Sequence, residues 1–209
     1  MIVLLASCGK NIEIKSETKF LHEENKQYTF DAEYPVYNIA QLDDKIKNCV
    51  GKYLKQCKTE AADQFDEEWF RPFEMAVNKK EIVTQNRYIS VNIQCYYFTG
   101  GAHGMTFNNT FSYDTNTKDF ISTRSIAGDN YTDLVRLVKK KLKTKIGAGN
   151  FVDDGIAGIE SLSKFLITDQ GVEFIFDPYE VAAYTYGVVV MPITYKEYPF
   201  NIEFKNKHE

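Results

Sequence analysis

The residues that invite a chemical reading first are in Phe98–Thr106, FTGGAHGMT, where His103 stands among Gly100, Gly101 and Gly104. A histidine so placed can act as a general base, ligate a metal or lock a turn. As a base it needs a nucleophile to activate and a carboxylate to orient it. The nearest in sequence are Thr99, Thr106 and Asp114. As a metal ligand it needs two or more further donors. The other histidines, His22 and His208, lie in polar terminal stretches, so no metal site is expected. The simplest reading is that the glycines supply positive φ for a tight connection and His103 bonds the backbone to hold it.

A second constellation is FDPYEVAAYTYG. Asp177 and Glu180 are three apart, a spacing that places two carboxylates on one turn, as glycoside hydrolysis requires at defined separations. The alternative is an Asp-Pro turn capped by its own aspartate, with Tyr179, Tyr184 and Tyr186 packed over a sheet or offered as a binding surface. The run KKKLKTK could meet anionic lipid or wall polymer, or form a solvated helix face. No phosphate-binding glycine motif, GxSxG or paired-histidine helix is found, and no cofactor is expected. The candidate ligand-binding residues are Gly101, His103, Gly104, Asp177, Tyr179, Glu180 and Tyr184, with none assigned as catalytic.

These residues need a scaffold. The chain has 209 residues, 44% hydrophobic and 26% charged, enough for a substantial core. A net charge of -4 lacks the basic footprint of a nucleic-acid binder. With 15 Phe and 14 Tyr against one Trp, the composition favours strands. Leu5-Ala6-Ser7-Cys8 resembles a lipobox: residues 1–8 read as a lipoprotein signal remnant, with lipidation at Cys8. The apolar run is short and has no positive start, which a start assigned too late would explain; the alternative is a buried strand with a core cysteine. Residues 9–27, rich in lysine and glutamate, read as a flexible tether. No segment is long and apolar enough to span a bilayer. Cys49 and Cys57 sit eight apart on one helix, about 12 Å along its axis, too far to bridge. Cys95 could pair with one of them if its strand lies beneath that helix, but free buried thiols are the expectation.

The spacing of Leu42, Ile46, Cys49, Val50, Tyr53, Leu54, Cys57, Ala61 and Phe65 predicts a helix from about Gln41 to Glu67, anchored beyond its end by Trp69 and Phe70. A strand over Tyr28–Tyr37 precedes it. Strands at Tyr88–Phe98 and Met105–Tyr113 follow, with turns at 78–80, 85–87 and 114–119. A second helix, Tyr131–Ile146, is capped by Asp129 or Asn130. A hairpin turning at Asp169–Gly171, a tyrosine-rich loop and a last strand close the chain. The pattern is α+β, with antiparallel sheets and two main amphipathic helices.

Tyr96–Ile126 and Phe165–Gly187 together resemble the RsiV-like extracellular domain family, and the N-terminal half is similar to the domain preceding the catalytic module of PdaC-type peptidoglycan deacetylases. The resemblance covers about Tyr28–Tyr198. It rests on the Gly100–Gly104 hairpin paired with the Pro178–Ala182 loop. It implies two small packed subdomains, 28–127 and 128–209, in an extracytoplasmic envelope protein. Relatives of this type serve as lysozyme-binding sensor domains of anti-sigma factors, or as lipoproteins. Neither a sigma-binding segment nor a deacetylase module is recognised in these residues. The expectation is therefore a non-catalytic, lipid-anchored binding domain for a lysozyme-like protein or peptidoglycan. The alternative is an envelope glycan hydrolase or deacetylase using His103, Asp177 and Glu180.

Overall fold

A computed structural model describes residues 13–64 and 71–203. Cys8 and its lipobox, the proposed anchors Trp69 and Phe70, and His208 lie outside the described residues. The fold is α+β. A six-stranded sheet runs in the order β1-β2-β3-β4-β5-β6, and a three-stranded sheet in the order β7-β8-β9. The strands are β1 (Glu17–Glu24), β2 (Tyr28–Val36), β3 (Phe73–Thr84), β4 (Tyr88–Phe98), β5 (Met105–Asp114), β6 (Asp119–Phe120), β7 (Phe165–Ile167), β8 (Gly171–Phe176) and β9 (Val189–Thr194). The helices are α1 (Ala40–Asp63), the short α2 (Thr123–Ala127) and α3 (Tyr131–Ile146).

α1 buries Leu42, Ile46, Val50, Cys57 and Ala61 on one face. They meet Phe30, Ile89, Val91, Ile93 and Cys95 in the first hydrophobic core. At its N-terminus, Ile39 gives no side-chain cap. Instead the Asp43 carboxylate accepts from the backbone N–H groups of Tyr37 (2.8 Å) and Ile39 (2.9 Å), fixing the entry of the chain. α3 places Leu134, Val138, Leu142 and Ile146 in a second core with Phe174, Phe176 and Met191. Ile126 and Ala127 of α2 pack in this second core beside α3.

Three expectations are corrected. Residues 17–24, within the expected tether, form β1, paired with β2 from Glu17↔Val36 to Glu24↔Thr29. It is held chiefly by the backbone ladder: Phe20 is 77% exposed, and Leu21 packs only partly against the first core. The turn before β2 is an Asx turn, in which Asn25 Oδ1 accepts from the N–H of Gln27 and of Tyr28. Next, the larger sheet is not wholly antiparallel: β2 and β3 are parallel, and α1 is the crossover between them. Last, residues 78–80 do not turn. β3 continues through them, paired with β4 as far as Thr84↔Tyr88. Polar side chains are tolerated there because β2 accompanies β3 only as far as Val77.

The second face of the larger sheet meets the smaller one through hydroxyls. β7 has β8 on one side only. Its other backbone edge bonds to side chains projecting from the large sheet. Ile167 N–H donates to Ser90 Oγ (2.9 Å) and Phe165 N–H to Thr110 Oγ1 (3.0 Å). Thr84 Oγ1 donates to the Ile167 carbonyl (3.1 Å), and Ser112 Oγ to that of Phe165 (3.3 Å). An edge strand that would otherwise bury bare polar groups is thereby satisfied.

Cys49, Cys57 and Cys95 are free thiols. Burial pushes Cys49 and Cys57 up to about 11 and Cys95 to about 12, so they stay protonated and inert. Among the described residues no helix is long and apolar enough to cross a membrane.

Candidate functional site

The β4–β5 connection carries His103. Gly100 has φ +84, a conformation L side chains rarely adopt, and turns the chain. Gly104 does something different: it lets the Tyr96 ring lie close, where a Cβ would stand 2.4 Å from the ring and push it aside. Gly101 has open space around it and no positive φ, so the expectation that every glycine here supplies positive φ fails at Gly101 and Gly104. The exposed His103 contacts the Gly104 carbonyl through Nδ1 (3.2 Å), in keeping with a loop-locking role.

The tyrosine-rich loop reaches this hairpin. The Tyr184 ring stacks on His103 with centroids 4.0 Å apart, and its hydroxyl donates to the Gly104 carbonyl (2.7 Å). Tyr179 follows, 5.7 Å from Tyr184. Its backbone is left-handed, φ +72, and its side chain is 56% exposed. Tyr186 turns elsewhere, its hydroxyl donating to the Ile146 carbonyl (3.1 Å). The tyrosines do not pack over a sheet as a group: Tyr179 and Tyr184 extend the hairpin tip into an aromatic strip with His103.

Asp177 and Glu180 lie close together but are fully engaged. Lys164 Nζ donates to Asp177 Oδ2 (2.5 Å) and to Glu180 Oε1 (2.6 Å). Asp177 Oδ1 accepts from Asn108 Nδ2 (2.6 Å), and Glu180 Oε2 from the Asp177 N–H (2.8 Å). Every carboxylate oxygen of the pair has a donor. The Asp-Pro turn is present, closed by Glu180 N–H to the Asp177 carbonyl (3.1 Å), but it is not capped by its own aspartate as expected: the Asp177 carboxylate goes to Asn108 and Lys164, and Glu180 caps the Asp177 N–H instead. Among the described residues no hydrogen bond joins His103 to either carboxylate, and no cluster of three or more His, Cys, Asp or Glu could hold a metal.

Asn108 connects this turn to the sheet, its Oδ1 accepting from Asn92 (2.7 Å) and Gln94 (3.2 Å). Beside it opens a cleft of about 630 Å³ between α1, β5 and the Ser163–Lys164 segment. Sequence reasoning picked out Asp177 but missed Lys164, Asn108 and the cleft. The available signal was Asn108-Asn109 inside a strand, where asparagine is disfavoured.

The basic face of α3 is largely spent on internal partners. Lys139 and Lys143 pair with Asp153 (2.9 and 3.1 Å), and Lys141 with Glu197 (2.7 Å). Lys145 donates to the Val190 carbonyl (2.8 Å). The Lys141 ammonium, with the Thr194 N–H, holds the Glu197 carboxyl down to about 2.

Two family models match the chain. One, described as Deacetylase PdaC, covers residues 21–106; the other, described as Protein of unknown function (DUF3298), covers residues 118–196. The peptidoglycan-N-acetylmuramic acid deacetylase PdaC of Bacillus subtilis (strain 168) is 28% identical, over 83% of this chain and 38% of its own length. The chain thus spans well under half of that relative. Two solved structures share the fold. A DUF3298 family protein from Pseudomonas aeruginosa PAO1 has a TM-score of 0.64 at 15% identity, covering 88% of this chain and 93% of that one. A DUF3298 family member from Bacteroides fragilis NCTC 9343 has a TM-score of 0.60 at 16% identity, covering 87% and 90%.

Proposed function

We propose that this chain, which carries a PdaC domain followed by a DUF3298 domain, is an envelope-located binding domain that recognises peptidoglycan without cutting it. The relative whose printed name is peptidoglycan-N-acetylmuramic acid deacetylase supports the polymer as the ligand. The observation that carries the binding reading is the aromatic strip. Two loops 80 residues apart are brought together so that Tyr184 stacks on His103 and bonds Gly104. Beside them Tyr179 is held outward in a left-handed conformation that costs a non-glycine residue roughly 1–3 kcal/mol. Tyrosine and histidine rings on a firm backbone suit the recognition of sugars and proteins alike. The rival hydrolytic reading needs a carboxyl group free to give or take a proton. The four hydrogen bonds closing on Asp177 and Glu180 argue that this pair holds the turn instead. Lipidation at Cys8 would keep the domain at the membrane on the extracytoplasmic side.

The test is co-sedimentation of the full-length chain with purified peptidoglycan, with a lysozyme-like protein as the second arm. Saturable sedimentation that His103→Ala weakens, with the melting temperature unchanged and no acetate or sugar released, is the expected result. Binding to the lysozyme-like protein alone would replace the ligand; released acetate or sugar would replace the mechanism.

A further inference from the structure

Resting on the peptidoglycan reading, we infer that the cleft over the outer edge of β5 is a second ligand site, built for a neutral, N-acetylated stretch of glycan.

The floor of the cleft is a strand edge. β5 pairs with β4 along its length, but β6 accompanies it only at Tyr113 and Asp114. Among the described residues no strand lies beside Met105–Phe111 on the outer side. The Ser112 carbonyl accepts from Ile121 N–H on that side (2.8 Å). Backbone direction alternates along a strand, so the N–H and C=O groups of Asn108 and Thr110 also point outward. They offer fixed donors and acceptors on the cleft floor.

The walls add groups of the same chemistry. With the Asn108 side chain spent on Asp177, Asn92 and Gln94, the exposed Gln56 of α1 and Asn109 of β5 supply two primary amides. Each can both give and take a hydrogen bond, as an acetamido group or a sugar hydroxyl requires. Asn109 Nδ2 donates to the Tyr53 hydroxyl (2.5 Å), leaving Asn109 Oδ1 as an acceptor and the Tyr53 O–H as a donor. Burial pushes the Tyr53 phenol well above its ordinary value, so it remains a donor. Phe107 lines the same cleft, its ring steadied by stacking on Tyr97 at 5.5 Å, and gives the apolar face of a sugar a surface to lie on.

Charge decides against an anionic polymer. The cation lining the cleft, Lys164, already bonds Asp177 and Glu180. A phosphate or carboxylate entering here would meet two carboxylates for one ammonium; a neutral ligand meets none of that repulsion. The volume of about 630 Å³ is adequate for a short oligosaccharide.

The full-length chain is titrated with a soluble β-linked tetramer of N-acetylglucosamine and with the same tetramer lacking its acetyl groups, while sedimentation with whole peptidoglycan is measured in parallel. The acetylated tetramer is expected to bind saturably. Asn109→Ala and Gln56→Ala, both exposed positions, should each weaken it about tenfold or more at unchanged melting temperature, and removal of the acetyl groups should do the same. If the chain sediments with peptidoglycan but the tetramer fails to bind, or binds the two variants as it does the wild type, the cleft assignment falls and the peptidoglycan reading stands. If an extended peptide occupies the cleft in place of the tetramer, the strand edge takes a polypeptide and the glycan assignment is overturned. If neither peptidoglycan nor tetramer binds, both fall.

Discussion

Along β4, Ile89, Val91, Ile93 and Cys95 are fully buried toward α1, while Ser90 and Asn92, between them and on the opposite face, are almost as completely buried toward the second sheet. The α1 face is closed by hydrocarbon. The other is closed by hydroxyls that complete the unpaired edge of β7 and by amides that bond each other and Asp177. Hydrophobic burial is indifferent to direction, so the α1 face can tolerate small shifts. The polar face cannot, because each buried hydroxyl there has a defined partner whose loss leaves a bare polar group. The polar face is accordingly the one that fixes how the two sheets meet. It also leads, through Asn92, Asn108 and Asp177, to the turn that carries Tyr179.

The contrast can be broken from either side. The largest effect is expected from Ile93→Ala, which removes a fully buried side chain from the α1 face and should cost roughly 2–5 kcal/mol, seen as an unfolding midpoint shifted to lower denaturant. Ser90→Ala should cost less, roughly 1–3 kcal/mol, because it strips the Ile167 N–H of its acceptor. Hydrogen exchange should localise that loss to β7 and leave α1 protected. If α1 and β7 lose protection equally, the polar face is not a separate element.

A third effect is read in acid. On the polar side of β5, Asp114 receives Nε and Nη2 of Arg87 (2.9 and 2.7 Å), and these bonds hold its carboxyl below the ordinary value of 3.8. A carboxyl depressed in the folded state stabilises it above the ordinary value, and that contribution is lost as pH falls through 3.8 toward the lowered one. Asp114→Asn should flatten this part of the stability curve, and an unchanged curve would show that Arg87 gains nothing from the charge. The smallest effect belongs to Lys80 and Glu173, an ion pair across the same contact at 2.7 Å but largely in solvent. Lys80→Ala should cost roughly 0.2–1 kcal/mol, less in high salt.

The same contrast explains what was legible in the sequence. α1 and α3 announce themselves because Leu42, Ile46 and Val50, and Leu134, Val138 and Leu142, repeat at helical spacing against a polar background. β4 and β5 begin and nearly end where alternation and turn residues place them. The α+β class was therefore readable, but the burial of the polar face was not. Ser90 and Asn92 alternate with apolar residues as solvent-facing positions would, and no local pattern tells water from a neighbouring strand edge. β1 escaped because its side chains contribute little burial, and the parallel pairing of β2 with β3 because the crossover helix could equally have joined antiparallel strands. Of the candidate site, the hairpin and the Pro-Tyr-Glu loop were both visible as motifs. The stacking of His103 on Tyr184 was not, since nothing local links positions so far apart. Lys164, which engages both carboxylates, has no neighbouring motif at all.

The central question is whether the aromatic strip is where peptidoglycan is held. Hydrogen exchange of the full-length chain, with and without soluble peptidoglycan fragments, tests this directly. Slowed exchange confined to residues 99–106 and 178–187, with or without the edge of β5, is the predicted result. Exchange that stays unchanged in both loops while the fragments bind elsewhere would contradict it.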